Sequence, residues 1–227
     1  WYSKAAEQNH TNSQYNLGLK YYNGKGVNKD YEQAVKWFTK VAEQGDAAGQ
    51  YQVGLMYYLG QGVTQDYQQT VKWYNKAAEQ NNRNAQAGLG YIYENGLEGP
   101  QDYKQAVKWY TKAAKQEHII AQLNLGRFYF DGKGTTQDYQ QAFKWYTNAA
   151  DQGNIMAQSH LGMMYEKGLG VIQSNTKAYI WSSIAAMNGD SDEIKNRDSL
   201  AKKLSILRLE QAQEDAAKLY EQISNKQ

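Results

Sequence analysis

Gly49 to Val63 reads GQYQVGLMYYLGQGV, and Asp66 to Ala78 reads DYQQTVKWYNKAA. These two stretches decide the fold, because the chain repeats them. Trp73 belongs to a column of tryptophans at Trp1, Trp37, Trp73, Trp109, Trp145 and Trp181, each 36 residues after the last. The same period carries Gln14, Gln50, Gln86, Gln122 and Gln158, then Gly18, Gly54, Gly90, Gly126 and Gly162. A tyrosine column (Tyr21, Tyr57, Tyr93, Tyr129, Tyr165) and a second glycine column (Gly24, Gly60, Gly96, Gly132, Gly168) keep the same interval. Such self-similarity marks a stack of identical small units rather than one large core.

Each unit reads as two helices. In the first, Leu125 and Tyr129 stand four apart and share a face. The GxG segments that follow, such as Gly132-Lys133-Gly134, supply positions for positive φ that end the helix and turn the chain. Asp30, Asp66, Asp102 and Asp138 precede the second helix, where a carboxylate caps free amides and meets the positive end of the helix dipole. Tyr67, Val71, Tyr74 and Ala78 form that helix's inward stripe, and Gly45 is a candidate C-cap. A glycine inside the first helix costs about 1 kcal/mol against alanine, so it needs a packing reason. The expected one is a tryptophan ring filling the space. The fold class predicted is all-α, a right-handed α/α solenoid of 36-residue helix-turn-helix repeats with a C-terminal capping helix pair.

Mean hydropathy is low, at -0.86. With 20 Tyr and 6 Trp the chain can nevertheless bury a core of large rings. Its 25 Lys+Arg against 23 Asp+Glu leave a net charge of +2, too little for a nucleic-acid or membrane footprint. The longest apolar stretch, around Tyr179 to Met187, is too short to span a bilayer. There is no cysteine, hence no disulfide, thiolate metal site or thiol nucleophile. His10, His118 and His160 fall at unrelated repeat positions, and no metalloprotease, nucleophile-elbow, phosphate-loop or dinucleotide motif occurs. No catalytic residue, metal or cofactor is expected. Trp1 opens the chain inside a repeat, which is compatible with a preceding targeting segment, and weak self-association through that half-repeat is a third reading of the chain's role.

The quoted segments resemble the Sel-one-like repeat family, relatives of the tetratricopeptide repeats with a longer turn between helices. The resemblance covers residues 1–189, about five repeats with the first partial. Three places depart from it: Gly96-Leu97-Glu98-Gly99-Pro100 shifts the second loop glycine by one, Thr70 replaces an alanine, and the last repeat has Ser174-Asn175 and Ile180. Residues 190–227 read as two capping helices separated near Ser205, with Leu200, Leu204, Leu207, Leu209, Ala212, Ala216, Leu219 and Ile223 inward. Arg197 to Leu204 resembles the segment with which many family members end.

Residues held in every repeat serve packing, so function is sought where repeats differ. Packing is also the reading given to the tryptophans, with the Lys36, Lys72, Lys108 and Lys144 column read as a solvated face. The glutamine column reads as hydrogen bonds to backbone or between repeats. The varying first-helix positions are Tyr15, Tyr51 and Leu123; four residues on, Leu19, Leu55, Tyr91, Arg127 and Met163; three further, Tyr22, Tyr58, Glu94, Phe130 and Glu166. By resemblance to tetratricopeptide repeats this side lines a concave groove; the alternative is packing between neighbouring first helices. The expected function is a non-catalytic adaptor holding a peptide or helix of another protein there. The resemblance also implies envelope or host-interaction roles in bacteria, including immunity proteins, and a periplasmic or secreted site is favoured over the cytoplasm. The competing class is a cell-wall hydrolase or small-ligand protein, with Glu94, Glu98 and Arg127 converging at the irregular third repeat.

Overall fold

The computed structural model describes residues 10–187 and 191–226, and every regular element among them is an α-helix. Ten helices form five antiparallel pairs: α1 (Thr11–Asn23) with α2 (Tyr31–Glu43), α3 (Ala47–Leu59) with α4 (Tyr67–Glu79), α5 (Arg83–Asn95) with α6 (Tyr103–Ala114), α7 (Ile119–Asp131) with α8 (Tyr139–Ala150), and α9 (Ile155–Lys167) with α10 (Asn175–Ala186). Two more follow, α11 (Ser191–Ala201) and α12 (Ile206–Ser224). The all-α, helix-turn-helix class read from the period is therefore what the chain adopts. Trp1 with its half-repeat, and the stretch 188–190 where the period stops, lie outside the described residues. The chain divides into two compact units within α6, between Ala113 and Ala114.

Helix boundaries follow the sequence closely. Asp30, Asp66, Asp102 and Asp138 each accept the amide of the residue three further on, at 2.9–3.0 Å. Ser174 does the same for Lys177 at 3.3 Å. The first helices are capped too, by Asp46, Asn82, His118 and Asn154. Each such cap satisfies one amide that the helix itself leaves orphaned. Where a glycine turns the chain, the loop is closed by one recurring bond: the amide of Asp30, Asp66, Asp102, Asp138 or Ser174 donates to the carbonyl of Tyr21, Tyr57, Tyr93, Tyr129 or Tyr165. The third repeat keeps this bond (2.9 Å) despite its displaced glycine. It differs instead at the loop's second turn, where Gly62 and Gly170 have positive φ and Gly99 does not. A Cβ at Gly62 would lie 2.3 Å from the Tyr31 carbonyl, so that glycine lets the loop touch the start of the preceding second helix.

In four of the five first helices the glycine does face a ring, but not the tryptophan. A Cβ at Gly18 would lie 2.7 Å from Phe38, at Gly54 2.5 Å from Tyr74, at Gly90 2.7 Å from Tyr110 and at Gly126 2.7 Å from Tyr146. The wedge is the residue after each tryptophan. Helical rotation decides this, since neighbours in sequence point about 100° apart and only one of the pair aims at the partner helix. In the last repeat the wedge is Ser182, whose Oγ would stand 2.7 Å from a Cβ at Gly162. A buried aromatic ring removes roughly 150–250 Å² from water, about 4–6 kcal/mol at 25 cal/mol per Å² as an upper bound. That exceeds the roughly 1 kcal/mol cost of a helical glycine.

The tryptophans act between repeats. Trp109 joins the cluster of Val71, Tyr74, Ala78 and Leu89, so it rests on the preceding second helix and its own first helix. Trp181 joins Tyr146, Ala150 and Leu161 in the same manner, and Trp73 packs on Phe38, Ala42 and Val53. The glutamine column runs along the same seams. Gln50, Gln86, Gln122 and Gln158 donate to the carbonyls of Ala42, Ala78, Ala114 and Ala150 in last helical turns, where each carbonyl also accepts the amide three residues on. Their own oxygens accept from a second glutamine column: Gln44 donates to Gln14, Gln80 to Gln50 and Gln152 to Gln122. The ladder ends at Gln158, whose buried Oε1 has no partner among the described residues.

Helices α11 and α12 cover the last repeat. Leu200 and Ala212 pack on Ala178 and Tyr179, while Ala216 and Ile223 join the cluster around Trp181 and Ile184. Leu207 does not take the inward place expected of it. It is 78% exposed, beside Ile206 at 79%. The chain leaves the helix after Ala201 and restarts at Ile206, which resets the phase so that Leu209 points inward instead. Ser205 holds the N-cap position of α12, without a side-chain hydrogen bond.

Two buried tyrosines in equivalent positions have opposite hydrogen-bonding fates. The Tyr110 hydroxyl donates to Glu94 Oε2 at 2.8 Å, whereas the buried Tyr146 hydroxyl has no partner among the described residues. Tyr110→Phe is therefore expected to destabilise by about 1–2 kcal/mol, and Tyr146→Phe to leave stability unchanged or raise it. Urea unfolding of the two variants, read by circular dichroism, checks this; equal losses would contradict it.

Candidate functional site

In the first unit the variable first-helix residues form a connected aromatic face. Tyr15 packs on Phe38 at 5.6 Å between ring centroids and accepts a hydrogen bond from Gln52 Nε2 at 3.2 Å. Tyr22 meets Tyr31 at 5.4 Å, with Leu19 packed on the same cluster. Tyr51 stacks on Tyr74 at 5.5 Å with 16° between planes. Tyr58 touches Tyr67 of its own repeat at 5.8 Å and Tyr91 of the next first helix at 6.3 Å, edge to face. Offset and edge-to-face geometries are those aromatic quadrupoles favour. Tyr15, Tyr22, Tyr51 and Tyr58 each rest on a second-helix ring and are half-buried, Tyr58–Tyr91 is a ring contact between neighbouring first helices, and Tyr91 is 45% exposed.

Between α3 and α5 these residues enclose a recess of about 200 Å³, lined by Leu55, Tyr58, Tyr74, Gly88 and Tyr91. Gly88 makes it possible. A Cβ there would lie 2.5 Å from the Tyr74 ring, and the equivalent positions hold Asn16, Gln52, Asn124 and His160. This glycine belongs to one repeat only, so periodicity gave no reason to single it out, and Tyr74 was read as core. Burial, then the hydrogen bond and proximity of Tyr91, push the Tyr58 hydroxyl up to about 12. Burial also raises Tyr74 and Tyr51.

Glu94 does not stand free, since Tyr110 donates to its carboxylate. Glu98 sits exposed in the turn after α5, where its charge and that of Asp102, after burial, raise Tyr93. In the second unit the expected residues serve structure more than surface. Leu123 is 9% exposed and belongs to the core cluster around Tyr146, so it has little surface to offer a partner. Arg127 lies over the Phe128 ring at 5.1 Å. Phe130 packs on Tyr139 at 5.1 Å and on His160 at 6.4 Å. Met163 rests on the core, and Glu166 is bound at 2.7 Å by Lys203 of the turn after α11. Met163 and Glu166 also line a cavity of about 320 Å³ with His160, Glu193 and Asn196. Among the described residues no group of three or more His, Asp or Glu is placed to hold a metal ion, and no helix is long and apolar enough to cross a membrane.

Helix pairs with a 36-residue period, glycine-ring wedges and inter-repeat glutamines define an all-α helical-repeat protein. The chain belongs to the Sel1 repeat family, whose model matches residues 1–10, 11–46, 47–82, 83–118, 119–154 and 155–190. It is similar to a Sel1 repeat protein of Oxalobacter formigenes, with 33% identity, TM-score 0.77, and 92% of this chain and 88% of that one covered. It is also similar to c5321, a protective antigen of uropathogenic Escherichia coli displaying this fold, at 31% identity and TM-score 0.52, covering 100% of this chain and 64% of that one. A Sel1 repeat protein of Klebsiella pneumoniae shares the fold at 23% identity and TM-score 0.52, covering 88% and 97%. No functionally curated protein matches the chain.

The tyrosine face sets an alkaline limit. A phenol whose pKa is raised on folding stabilises the folded state below its unfolded value, and that contribution is lost as pH rises through the folded value. For Tyr58 the window runs from 10.0 to about 12, and Tyr74 extends it upward. Melting temperature measured across this window should fall, with a shallower fall in Tyr74→Phe. Parallel falls in the two proteins would contradict the assignment.

Proposed function

We propose that the protein is a binding module that holds a segment of another protein against the first-helix face of its N-terminal unit. The observation that carries this is the recess of Leu55, Tyr58, Tyr74, Gly88 and Tyr91, an apolar opening on a face of tyrosines. Soluble surfaces seldom gather such rings without a partner, and tyrosine is enriched among residues that dominate binding energy. Family membership supports the reading, since Sel1 repeat proteins are in general protein-interaction modules. Tyr15, Leu19, Tyr22 and Tyr51 extend the face towards the N-terminus, and a helix or extended peptide would place one large apolar side chain in the recess. The E. coli relative is a protective antigen, in keeping with the envelope and host-interaction roles proposed from the family resemblance.

The test is capture from the native cell, read by mass spectrometry, with the wild type and a Leu55→Lys/Tyr91→Ala variant. Both positions are surface-accessible, so the variant should keep its helicity and melting transition. A partner held by the wild type should be lost, or bind at least about tenfold more weakly, as expected for a central anchor. A folded variant that captures the same partners equally would overturn the reading.

A further inference from the structure

The second helices of the first unit also carry charge. On each second helix a lysine precedes the tryptophan (Lys36, Lys72, Lys108) and another follows it by three residues (Lys40, Lys76, Lys112). All six are exposed. The later lysine of each pair lies over its own indole, with Nζ 4.4 Å from the ring in all three repeats. No ion pair joins any of the six to a carboxylate among the described residues. The glutamates of these helices, Glu32, Glu43 and Glu79, stand in first and last turns, leaving the middle of the face to lysine.

Neither column is required by the fold. In the second unit the same positions hold Lys144 and Asn148, then Ile180 and Ile184, yet Trp145 and Trp181 are as buried as Trp109. Like charges four apart on a helix repel, and here the repulsion recurs on three adjacent helices without an internal acid to relieve it. An external anion would relieve it.

We propose that this lysine face docks an acidic helix of a partner protein. The chemistry favours protein over nucleic acid or membrane. All six groups are lysines, compact point charges without the forked geometry that favours phosphate. The indoles are covered by lysines and, at Trp109, buried, so they offer no platform for stacking bases and no wedge for a bilayer. Paired lysines one helical turn apart, about 6 Å along the axis, match carboxylates spaced four apart on a second helix. The proposal stands independently of the tyrosine recess: Lys72 and Lys76 share α4 with its Tyr74, but residues two apart point about 160° from one another around a helix.

The probe is a fluorescent helical peptide of about 20 residues with Glu at every fourth position, compared with the same peptide carrying Gln. Binding to the whole chain is read by anisotropy, and indole emission reports the lysines leaving their rings. The Glu peptide should bind, weaken at least about tenfold when salt shortens the Debye length to a few ångströms, and shift the tryptophan emission. Lys36→Gln/Lys72→Gln/Lys108→Gln should abolish binding with the melting transition intact, whereas Lys133→Gln/Lys144→Gln/Lys177→Gln, an equal loss of charge in the second unit, should not. Equal binding of the Gln peptide, equal losses in the two triple variants, or tighter binding of a DNA duplex or of phosphatidylglycerol vesicles would overturn the proposal.

Discussion

The close approach of two helices at a residue without a side chain is the contact on which the rest of the repeat depends. At Gly18, Gly54, Gly90 and Gly126 the first helix lets a ring of the second lie against its backbone. That approach sets the distance within the pair. It puts the alanines at Ala34, Ala106 and Ala142 into full burial, and it turns the preceding tryptophan outward along the seam to meet the neighbouring repeat. Once the tryptophan is there, the glutamine ladder has fixed partners, because Gln50, Gln86 and Gln122 sit beside helix-end carbonyls that take a second donor besides the turn amide. One steric allowance thus organises contacts within the repeat and between repeats.

Much of this was legible in the sequence, for a physical reason: a constraint that recurs in every unit prints itself at a fixed interval. The helix pairs, the Asp30, Asp66, Asp102 and Asp138 caps and the loop glycines were all read from their period. What the period could not separate was which of two adjacent aromatic columns meets the glycine. Trp73 belongs to the more regular column, since the one after it runs from Phe38 through Tyr74 to Ser182, and only the helical phase assigns the wedge to Tyr74. The end of the array was harder still, since Leu207 follows a break that resets the phase. A second glutamine column, with Gln44, Gln80 and Gln152, is not singled out by the sequence reading and emerges from the geometry of Gln80 donating to Gln50.

The candidate site was less legible because it is made of exceptions. Tyr51, Leu55, Tyr58 and Tyr91 were found as positions that vary, and the structure gathers them on one face. Gly88 escaped notice because a single glycine in a single repeat has no period, yet it opens the recess beside Tyr74. Leu123 shows the converse: its column is surface in one repeat and core in another, so a position that varies need not be exposed. A repeat protein separates its tasks in this way. Residues shared by all units hold the stack, and the residues that break the pattern give the tyrosine face its chemistry.

The wedge assignment is the claim from which the rest follows, and a double-mutant cycle in the second unit tests it directly. Gly126→Ala is combined once with Tyr146→Leu and once with Trp145→Leu, and unfolding free energies are measured for all variants. Coupling of about 1 kcal/mol or more is predicted between Gly126 and Tyr146, because a smaller partner makes room for the added Cβ, with additive behaviour between Gly126 and Trp145. Coupling to Trp145 with additivity at Tyr146 would contradict the account.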